Sequence, residues 1–479
     1  MIMKRSCVFI FFSALGASTL YGQDTAHVKL TLQQCVETGI AKNLDVQQSN
    51  IQMQTSKINW NQARLNMLPT LNANANAGIN QGRSVDPFTN TYVTDKVNFS
   101  NYGVSTDVVL FNGFYLQNNA KQNALAYEAS KMDWQQQKDN LTINIILSYL
   151  QVLSNQDLLT QAINQAALSK NQVDRLDILN KDGAVQPSQF FDLKGQYAND
   201  QLSIISSQNA LESAKVTLAQ YMNIPYTRNI ELERLNVESY ATRYEDDPAK
   251  IYDEALRQFA LVKAVDLRKE SAEKGVKAAR GQLFPILSFN GNGGTSYSSV
   301  ASQDILLGGT TDVTSNDYVL VGTTPSPVIR KVTNIRNEKI NYNKQLNNNL
   351  SSSFSLDLRI PLFNSLQARN RVKLAQLTLK NNDLVAKATK TQLQQSIEQA
   401  YINMTSASDR YTTLLDQVNA YTESFRAAEI RFNAGVGNSI DYLTAKNNLD
   451  RANINSIAAK YDYVLRTKIL DYYQGKQLW

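Results

Sequence analysis

The sequence has few of the residues that carry most protein chemistry, with one histidine and two cysteines. Cys7 lies in an apolar N-terminal run, so Cys35 is the one cysteine left if that run is removed, which excludes an intrachain disulfide and a cysteine-based metal site. His27 lacks the partners that a catalytic triad or a zinc site needs. The pair Asp246-Asp247 reads as a helix start. We therefore expect no enzymatic activity, no cofactor and no metal.

Strong charge and long apolar runs are also missing. The net charge is +6 with no long basic run, which gives nucleic-acid binding no support. Residues 1–22 have the pattern of a secretory signal: Lys4-Arg5, an apolar run over 7–15 and small residues up to Gly22. The alternative, a membrane anchor, needs a run of about 20 residues. After the signal no stretch of about 18 apolar residues occurs, so we expect no transmembrane helix. An exported chain without one can still span an outer membrane as a closed β-barrel.

Glycine and proline are absent from two stretches of about 70 residues, between Gly113 and Gly183 and between Pro361 and Gly435. These stretches are rich in Ala, Leu, Gln and Lys, which favour helix. Their apolar residues recur every three or four positions, which is typical of a helix that buries one stripe. At 1.5 Å per residue each helix would be about 100 Å long, and we interpret both as long coiled-coil helices.

A glycine-containing turn follows each long stretch, at 181–187 and at 433–438. Ser188 and Ser439 come next and are placed to cap return helices that run to about Met222 and Gln474. Two shorter helices are predicted to begin at Thr31, which forms a capping box with Gln34, and at Pro248.

The second half of the chain repeats the first. Phe111-Asn112-Gly113 returns at an offset of 252 as Phe363-Asn364-Ser365, and Gly183 returns at the same offset as Gly435. Leu68-Pro69 returns as Phe284-Pro285, but at an offset of 216. The two offsets differ because extra sequence lies between Pro285 and Phe363, where Gly, Ser, Thr and Asn abound. The chain is thus a duplicated unit in which the second copy has one long surface loop.

Four segments alternate apolar and polar residues, at about 70–80, 99–111, 286–297 and 352–363. Strands of a transmembrane barrel need such a pattern, with lipid on one face and water on the other. A strand of a soluble sandwich would alternate in the same way. Four segments at matching places of a duplicated, exported chain favour the barrel. Since four strands cannot close one, several chains must share it, and two chains would give eight strands and three twelve.

We therefore predict a mainly α fold with a β-barrel part, built from a duplicated helix–strand–strand–helix–turn–helix unit. The first repeat covers 23–246 and the second 247–479. A loop over about 294–349 should be extracellular, because the strand hairpins of such barrels put their long loops outside.

The residues resemble the TolC-like outer-membrane efflux channels, also called outer membrane factors. The resemblance rests on Leu30-Thr31-Leu32-Gln33-Gln34-Cys35-Val36, on Leu68-Pro69 and Phe284-Pro285, on Pro361-Leu362-Phe363, and on Arg431-Phe432-Asn433-Ala434-Gly435 with Asp441-Tyr442-Leu443. It implies a homotrimer with a shared 12-stranded β-barrel among outer-membrane lipid and a helical α-barrel in the periplasm of a Gram-negative bacterium. It also implies a periplasmic adaptor (membrane fusion protein) and an inner-membrane pump as partners. With a cysteine at position 35, the chain resembles members of this family that are common in Bacteroidetes.

The same resemblance implies a gate at the periplasmic end. By position, Asp441 matches the first pore-narrowing Asp of the best-known members, while Thr444 stands in place of the second. Phe432, Gln189 and Gly437 stand where those members have a Tyr, an Asp and an Arg that lock the gate. A closed tip here must therefore rest on packing and on other polar pairs, for which Asp182, Asp192 and Arg431 are candidates.

The function that follows is an exit duct of a tripartite efflux or type I secretion system, which conducts passively and is driven by the pump. Its adaptor-docking turns would be Gly183-Ala184-Val185 and Gly435-Val436-Gly437. The alternative is a trimeric structural or adhesin protein anchored in the outer membrane, which would also explain long helices. It would not need two helix–turn–helix copies that bracket two strand pairs.

Overall fold

The computed structural model describes residues 29–85, 90–94, 96–226, 230–234 and 247–476. The chain forms two compact units, and each unit combines segments of both repeats. The helical unit comprises Met1–Gln47, Gln137–Ala255 and Gln395–Trp479; the strand unit comprises Gln48–Gln136 and Leu256–Gln394. The predicted signal at 1–22, His27 and Asp246 lie outside the described residues.

The strand unit contains a four-stranded antiparallel sheet. Its strands are β2 (Thr70–Asn80), β5 (Val97–Phe111), β7 (Ile286–Ser298) and β10 (Ser351–Arg359), in the order β10-β7-β5-β2. Strand β10 ends before the predicted limit at 363, because the chain leaves the sheet after Arg359 and turns at 364–366 into the helix that begins at Gln367. Short pairs β1 (Lys29–Leu30) with β6 (Glu231–Leu232) and β3 (Ser84–Val85) with β4 (Tyr92–Val93) lie elsewhere.

The duplication extends to hydrogen-bond register. Thr70 lies opposite Asp107 in the β2–β5 hairpin, and Ile286 lies opposite Arg359 in the β7–β10 hairpin. Adding 216 to the first strand and 252 to the second converts one hairpin into the other along the whole of β10. The two offsets found in the sequence therefore describe equivalent residues in three dimensions.

The segment predicted as a long loop, 294–349, contains regular secondary structure. It holds the end of β7, a long hairpin of β8 (Ser302–Val321) and β9 (Thr324–Lys339), and helix α7 (Tyr342–Asn348). Register shifts after Leu306 and after Thr314 mark two bulges in β8. A polar composition does not exclude strands, because a hairpin is specified by alternation and by its turn residues.

Helices supply most of the remaining chain. The long ones are α3 (Tyr115–Lys181) and α8 (Gln367–Asn433), of 67 residues each, followed by return helices α4 (Pro187–Met222) and α9 (Ser439–Tyr473). The shorter ones are α1 (Leu32–Lys42), α2 (Leu44–Leu65), α5 (Pro248–Gln258) and α6 (Ala260–Gly281). The capping box of Thr31 and Gln34 is confirmed, and Cys35 is fully buried in α1. No helix among the described residues is both long and apolar enough to cross a membrane.

Candidate functional site: the gate and the docking turns

The two glycine turns have the same backbone structure. Gly183 and Gly435 have φ of 70° and 75°, the left-handed region that favours glycine. In the first turn the N–H of Gly183 donates to Asn180 O and that of Ala184 to Leu179 O. The second turn repeats both bonds, from Gly435 to Phe432 and from Val436 to Arg431. This pattern is a Schellman motif, which satisfies the last carbonyls of α3 and α8 and sends the chain into the return helix.

The return helices are not capped by the predicted serines. Helix α4 begins with Gln186 at its N-cap, without a side-chain bond, and has Pro187 in its first turn. Helix α9 has Asn438 at its N-cap, whose side chain accepts from the Asp441 N–H at 2.7 Å. Asparagine caps as well as serine does, and the turn geometry places it one position before Ser439.

An apolar cluster packs between the two helical hairpins beside these turns. It consists of Leu176, Leu193, Phe425, Phe432 and Tyr442, all of which are buried, with Val185 of the first turn against it. The rings of Phe432 and Tyr442 stack with centroids 4.9 Å apart. Phe432, a position where the best-known relatives would have a hydroxyl, therefore contributes packing here.

Polar contacts join the same hairpins close to the turns. At the ends of the long helices, the Arg175 guanidinium donates to the side chain of Asn433 and, at 2.7 Å, to its carbonyl oxygen. Between the return helices, the Ser439 hydroxyl donates to Asp192 Oδ2 at 3.0 Å. All three candidates, Asp182, Asp192 and Arg431, are exposed, and Asp192 forms this polar link between the hairpins.

A buried charge cluster lies further along the return helices. Lys446 of α9 has a side chain 1% exposed, and its Nζ lies 3.0 Å from Asp200 of α4 and 2.7 Å from Asp450. Asp200 also accepts from Ser169 of α3 and from Gln196. Burial raises the pKa of Asp450, and the Lys446 ammonium opposes that rise. Sequence reasoning missed this cluster, although Lys446 follows Tyr442 by one helical turn on the face of α9 that packs.

The predicted gate residues lie at the end of α8, in the second turn and near the starts of α4 and α9. Asp441 and Thr444 lie exposed and one turn apart on α9, so they share a helix face. Gln189 is half-buried in the first turn of α4. Gly437 donates its N–H to Arg431 O at 3.1 Å, and an added Cβ would lie 3.1 Å from Phe432 N. An arginine at this position would thus crowd the turn.

The docking turns present small and apolar groups. Gly183, Ala184 and Gly435 are exposed, and Val436 is 78% exposed, which is high for an apolar side chain. Nothing lies within 4 Å of a Cβ added at either glycine. Within the described part of the chain, no group of three or more His, Cys, Asp or Glu residues has the arrangement of a metal site.

Comparison with known proteins points in one direction. Residues 251–471 match the family described as outer membrane efflux protein. Among solved structures, that of CusC is similar with a TM-score of 0.75, 13% identity and coverage of 94% of this chain and 93% of the other. The CmeC outer membrane channel of Campylobacter jejuni follows with a TM-score of 0.72, 14% identity and coverage of 93% and 86%. The outer membrane protein VceC of Vibrio cholerae is similar with a TM-score of 0.69, 12% identity and coverage of 94% of this chain and 97% of the other. No curated protein sequence matches significantly. These similarities confirm the predicted fold class of long α-barrel helices with β-barrel strands.

Proposed function

We propose that this chain, which belongs to the outer membrane efflux protein family, assembles as three copies into the passive exit duct of a tripartite efflux or type I secretion system. The family consists of non-enzymatic channels of the outer membrane. The further steps of the proposal are the ring of three, the periplasmic adaptor that docks on it and the inner-membrane pump that drives it.

The observation that carries the proposal is the open sheet of the strand unit. Strands β2 and β10 are its two ends, so each has one edge that pairs with no other strand among the described residues. Phe354, Leu356 and Leu358 of β10 are 62–72% exposed on one face. An open edge with an apolar face is an aggregation site unless it is paired. A closed ring of chains pairs every edge, and three chains supply the twelve strands that the fold's relatives lead us to expect.

The duplication predicts the register between chains. Within the chain, β5 pairs with β7 so that Val104 lies opposite Gly293. Strand β10 is the repeat of β5, and β2 is the repeat of β7. Applying the offsets of 252 and 216 puts Leu356 opposite Ala77 of the neighbouring chain. Both residues lie on the apolar face of their strands, as a lipid-facing pair requires.

Disulfide formation tests this register. A chain with Leu356→Cys and Ala77→Cys should form covalent trimers on oxidation, because directly opposed strand residues have Cα atoms about 4.5–5.5 Å apart, within disulfide range. Leu356→Cys with Ala73→Cys is the control, on the same face but out of register. Val104→Cys with Gly293→Cys should give an intrachain bond. Covalent dimers as the end product would indicate a ring of two, and no interchain bond would refute the ring.

We place the gate on Asp441. In three copies near the axis, its carboxylates would attract cations and repel one another. The duct should then be cation-selective in planar bilayers and be blocked by multivalent cations. Asp441→Asn should weaken both effects and leave trimer stability unchanged, with Asp192→Asn as a control for a carboxylate that bonds within the chain. Unchanged block in Asp441→Asn would move the gate to another acidic residue.

We place adaptor docking on the two turns. Val436→Glu adds a charge without changing the backbone, so it should abolish export while trimer amount stays at the wild-type level. Gly435→Leu should do the same at the cost of strain in the left-handed turn. Loss of the trimer in Val436→Glu would make the turn structural and leave docking unsupported.

Conductance also separates the duct from the structural or adhesin alternative. Purified trimers of a conduit carry current across planar bilayers, whereas an anchored fibre without a continuous bore carries none. The two strand pairs, each bracketed by a helical hairpin, favour the conduit, since an anchor needs no such duplication.

A further inference from the structure

The hairpin of β8 and β9, from Ser302 to Lys339, has no equivalent in the first copy of the repeat. It forms a sheet of its own, because the chain turns between β7 and β8, where the Ala301 N–H donates to Ser298 O. The 20 residues of β8, at about 3.3 Å each, give the hairpin a length of up to about 65 Å. A hairpin of this length is not part of the four-stranded sheet and needs an explanation of its own.

The end of the hairpin, residues 318–329, contains no charged residue and is named the tip. Charged residues stand directly on either side of it, Asp317 before and Arg330-Lys331 after. The tip carries apolar side chains that are 57–67% exposed, namely Tyr318, Val319, Leu320, Val321 and Ile329. An exposed apolar patch with a polar rim marks a surface that contacts a protein or a membrane.

The apolar side chains of the tip lie on both faces of the hairpin. Successive side chains of a strand point to opposite faces. Tyr318 and Leu320 therefore lie on one face, whereas Val319 and Val321 lie on the other. A protein surface that packs on a hairpin covers one face and leaves the second in water, but lipid surrounds an inserted segment and covers both. The two-sided pattern thus favours lipid as the partner.

The backbone of the tip also suits an apolar environment. An unpaired N–H group is costly in hydrocarbon, where no water can accept its hydrogen bond. Pro325 lies opposite Leu320, and Pro327 lies opposite Tyr318. Proline is tolerated in a strand where its nitrogen faces away from the paired strand. These two prolines therefore remove donors from the open edge of β9, and so lower the cost of placing that edge in lipid.

A cationic group follows the tip directly. Arg330 lies opposite Val313, so it faces no acid across the hairpin. Lys331 lies opposite Asp312, which offsets its charge. The Asp317 carboxylate accepts a hydrogen bond within β8. If the tip enters hydrocarbon, the Arg330 guanidinium comes to the level of the lipid headgroups, where it can bind a phosphate through two parallel hydrogen bonds.

Two irregularities in β8 allow the hairpin to bend. Register shifts follow Leu306 and Thr314. The first contains Gly308 and Gly309, with φ of 74° and 80°, a conformation that favours glycine. Bulges bend the strand that contains them. A bent hairpin can bring its tip back to the surface of the membrane from which its base emerges.

We propose that the tip of the β8–β9 hairpin inserts into the lipid leaflet around its own channel, with Arg330 bound to a lipid phosphate. This inference rests on the proposed function, which puts the base of the hairpin at the outer end of the barrel. The three hairpins of a trimer then lie outside the ring of barrel strands, so the bore stays open. The partner is the outer leaflet of the membrane that the barrel spans.

A single fluorescent label measures the insertion. Leu320→Cys is labelled with a nitrobenzoxadiazole maleimide in trimers that are reconstituted into nanodiscs of phosphatidylcholine and phosphatidylglycerol. Nitroxide groups on the acyl chains should quench most of the fluorescence of this label. Thr333→Cys, which lies opposite Thr310 nearer the base, is the control and should keep its fluorescence. Native Cys35 is buried, with its pKa raised to about 12, so it is not labelled.

Two pairs of variants test the chemistry in the Leu320→Cys chain. Val319→Asp should abolish the quenching, because a carboxylate is costly to place in hydrocarbon. Thr310→Asp, outside the tip, should leave it unchanged. Arg330→Gln should lower the ratio of inserted to free tips about fivefold, the effect of one basic residue near an anionic lipid surface. Arg336→Gln, nearer the base, is its control and should have a smaller effect.

A label at Leu356→Cys, on the apolar face of β10, separates this inference from the proposed function. If the nitroxide lipids quench residue 356 but not residue 320, the barrel stands and insertion of the tip is refuted. If they quench neither, the barrel itself fails. If residue 320 is protected from aqueous iodide but is not quenched by the nitroxide lipids, a protein surface covers the tip, and insertion is again refuted.

Discussion

The two strand hairpins and their connections differ in how far the copies have diverged. Hairpins β2–β5 and β7–β10 have the same register, residue for residue, at the two offsets. The connection spans 81–96 in the first hairpin and 299–350 in the second, and this extra length accounts for the whole difference between the offsets. Strand residues are constrained by their pairing, because a slip of one residue would exchange the two faces of the sheet. The connection is free to grow, since longer loops cost little free energy.

The return helices show the same contrast at one position. Lys194 of α4 and Lys446 of α9 are repeat equivalents, at the offset of 252. Lys194 is exposed, with its Nζ 5.8 Å from the ring centre of Phe190. Lys446 is buried between two aspartates. The copies thus keep the helix and assign its faces differently, one toward solvent and one toward the packed interior.

Removing the two lysines should give the largest difference between the copies. Lys446→Ala would leave the buried Asp200 and the partly buried Asp450 without their cation, and such a loss costs about 3–5 kcal/mol in known buried pairs. Lys194→Ala should cost less than about 1 kcal/mol, because an exposed cation over a ring contributes little. Chemical unfolding of the purified protein, followed by circular dichroism, measures both. Equal losses would show that the charges of the Lys446 cluster are solvated.

The strand-to-helix bends should differ next. A Cβ at Gly113 would lie 2.3 Å from Gly281 O, whereas Ser365, its repeat equivalent, is exposed and already carries a Cβ. Gly113→Ala should therefore destabilise the protein by about 2–4 kcal/mol, from overpacking and left-handed strain together. Ser365→Ala should stay within about 0.5 kcal/mol of wild type. Comparable midpoints in thermal unfolding would contradict the close backbone approach.

The base of the β8–β9 hairpin, where α7 packs, should be sensitive to substitution in a way that has no counterpart in the first copy. Gln345→Ala removes the three hydrogen bonds to the Ser298 N–H, Ser298 O and Ile340 O, a loss of about 1–3 kcal/mol, while Ser298 O keeps its bond from the Ala301 N–H. The effect should be local. Trypsin should cleave faster after Arg330 and Lys331, and the disulfide between residues 104 and 293 should form as before. Cleavage at the wild-type rate would mean that Gln345 of α7 does not stabilise the β8–β9 hairpin.

Much of this architecture could be predicted because the signals are repeated and periodic. The long helices were visible from two stretches without Gly or Pro, and the turns from Gly183 and Gly435. The strands were visible from alternation, with ends misplaced by a few residues. Each of these signals is local, so the sequence carries it directly.

The parts that could not be predicted depend on which face of an element is covered. Lysine is usually a surface residue. Lys446 is buried because it forms an ion pair with Asp200, which lies far away in the sequence. Phe432 was placed by position where other members have a locking Tyr, and the sequence did not show that its ring packs on Tyr442. The segment that contains β8 and β9 was predicted as a loop because its composition is polar. The sequence does not show that these two strands pair with each other. The N-caps were misplaced within the turns, since Ser188, Asn438 and Ser439 all suit a helix start.

The smallest expected effect is a gain in stability that would make the second copy more like the first. Ser365 has φ of 52°, a conformation that Gly113 adopts at the equivalent place without a side chain. Ser365→Gly removes a left-handed penalty of about 1–2 kcal/mol. It also gives the unfolded chain more freedom, which costs about 0.5–1 kcal/mol. The net result should be a gain of about 0.5–1 kcal/mol per chain, read as a higher midpoint in chemical unfolding. Ser365→Ala, which keeps the Cβ, is the control and should show no gain. A loss on Ser365→Gly would mean that the serine side chain stabilises the bend by more than its backbone strain, and that the two bends are equivalent in shape but not in energy.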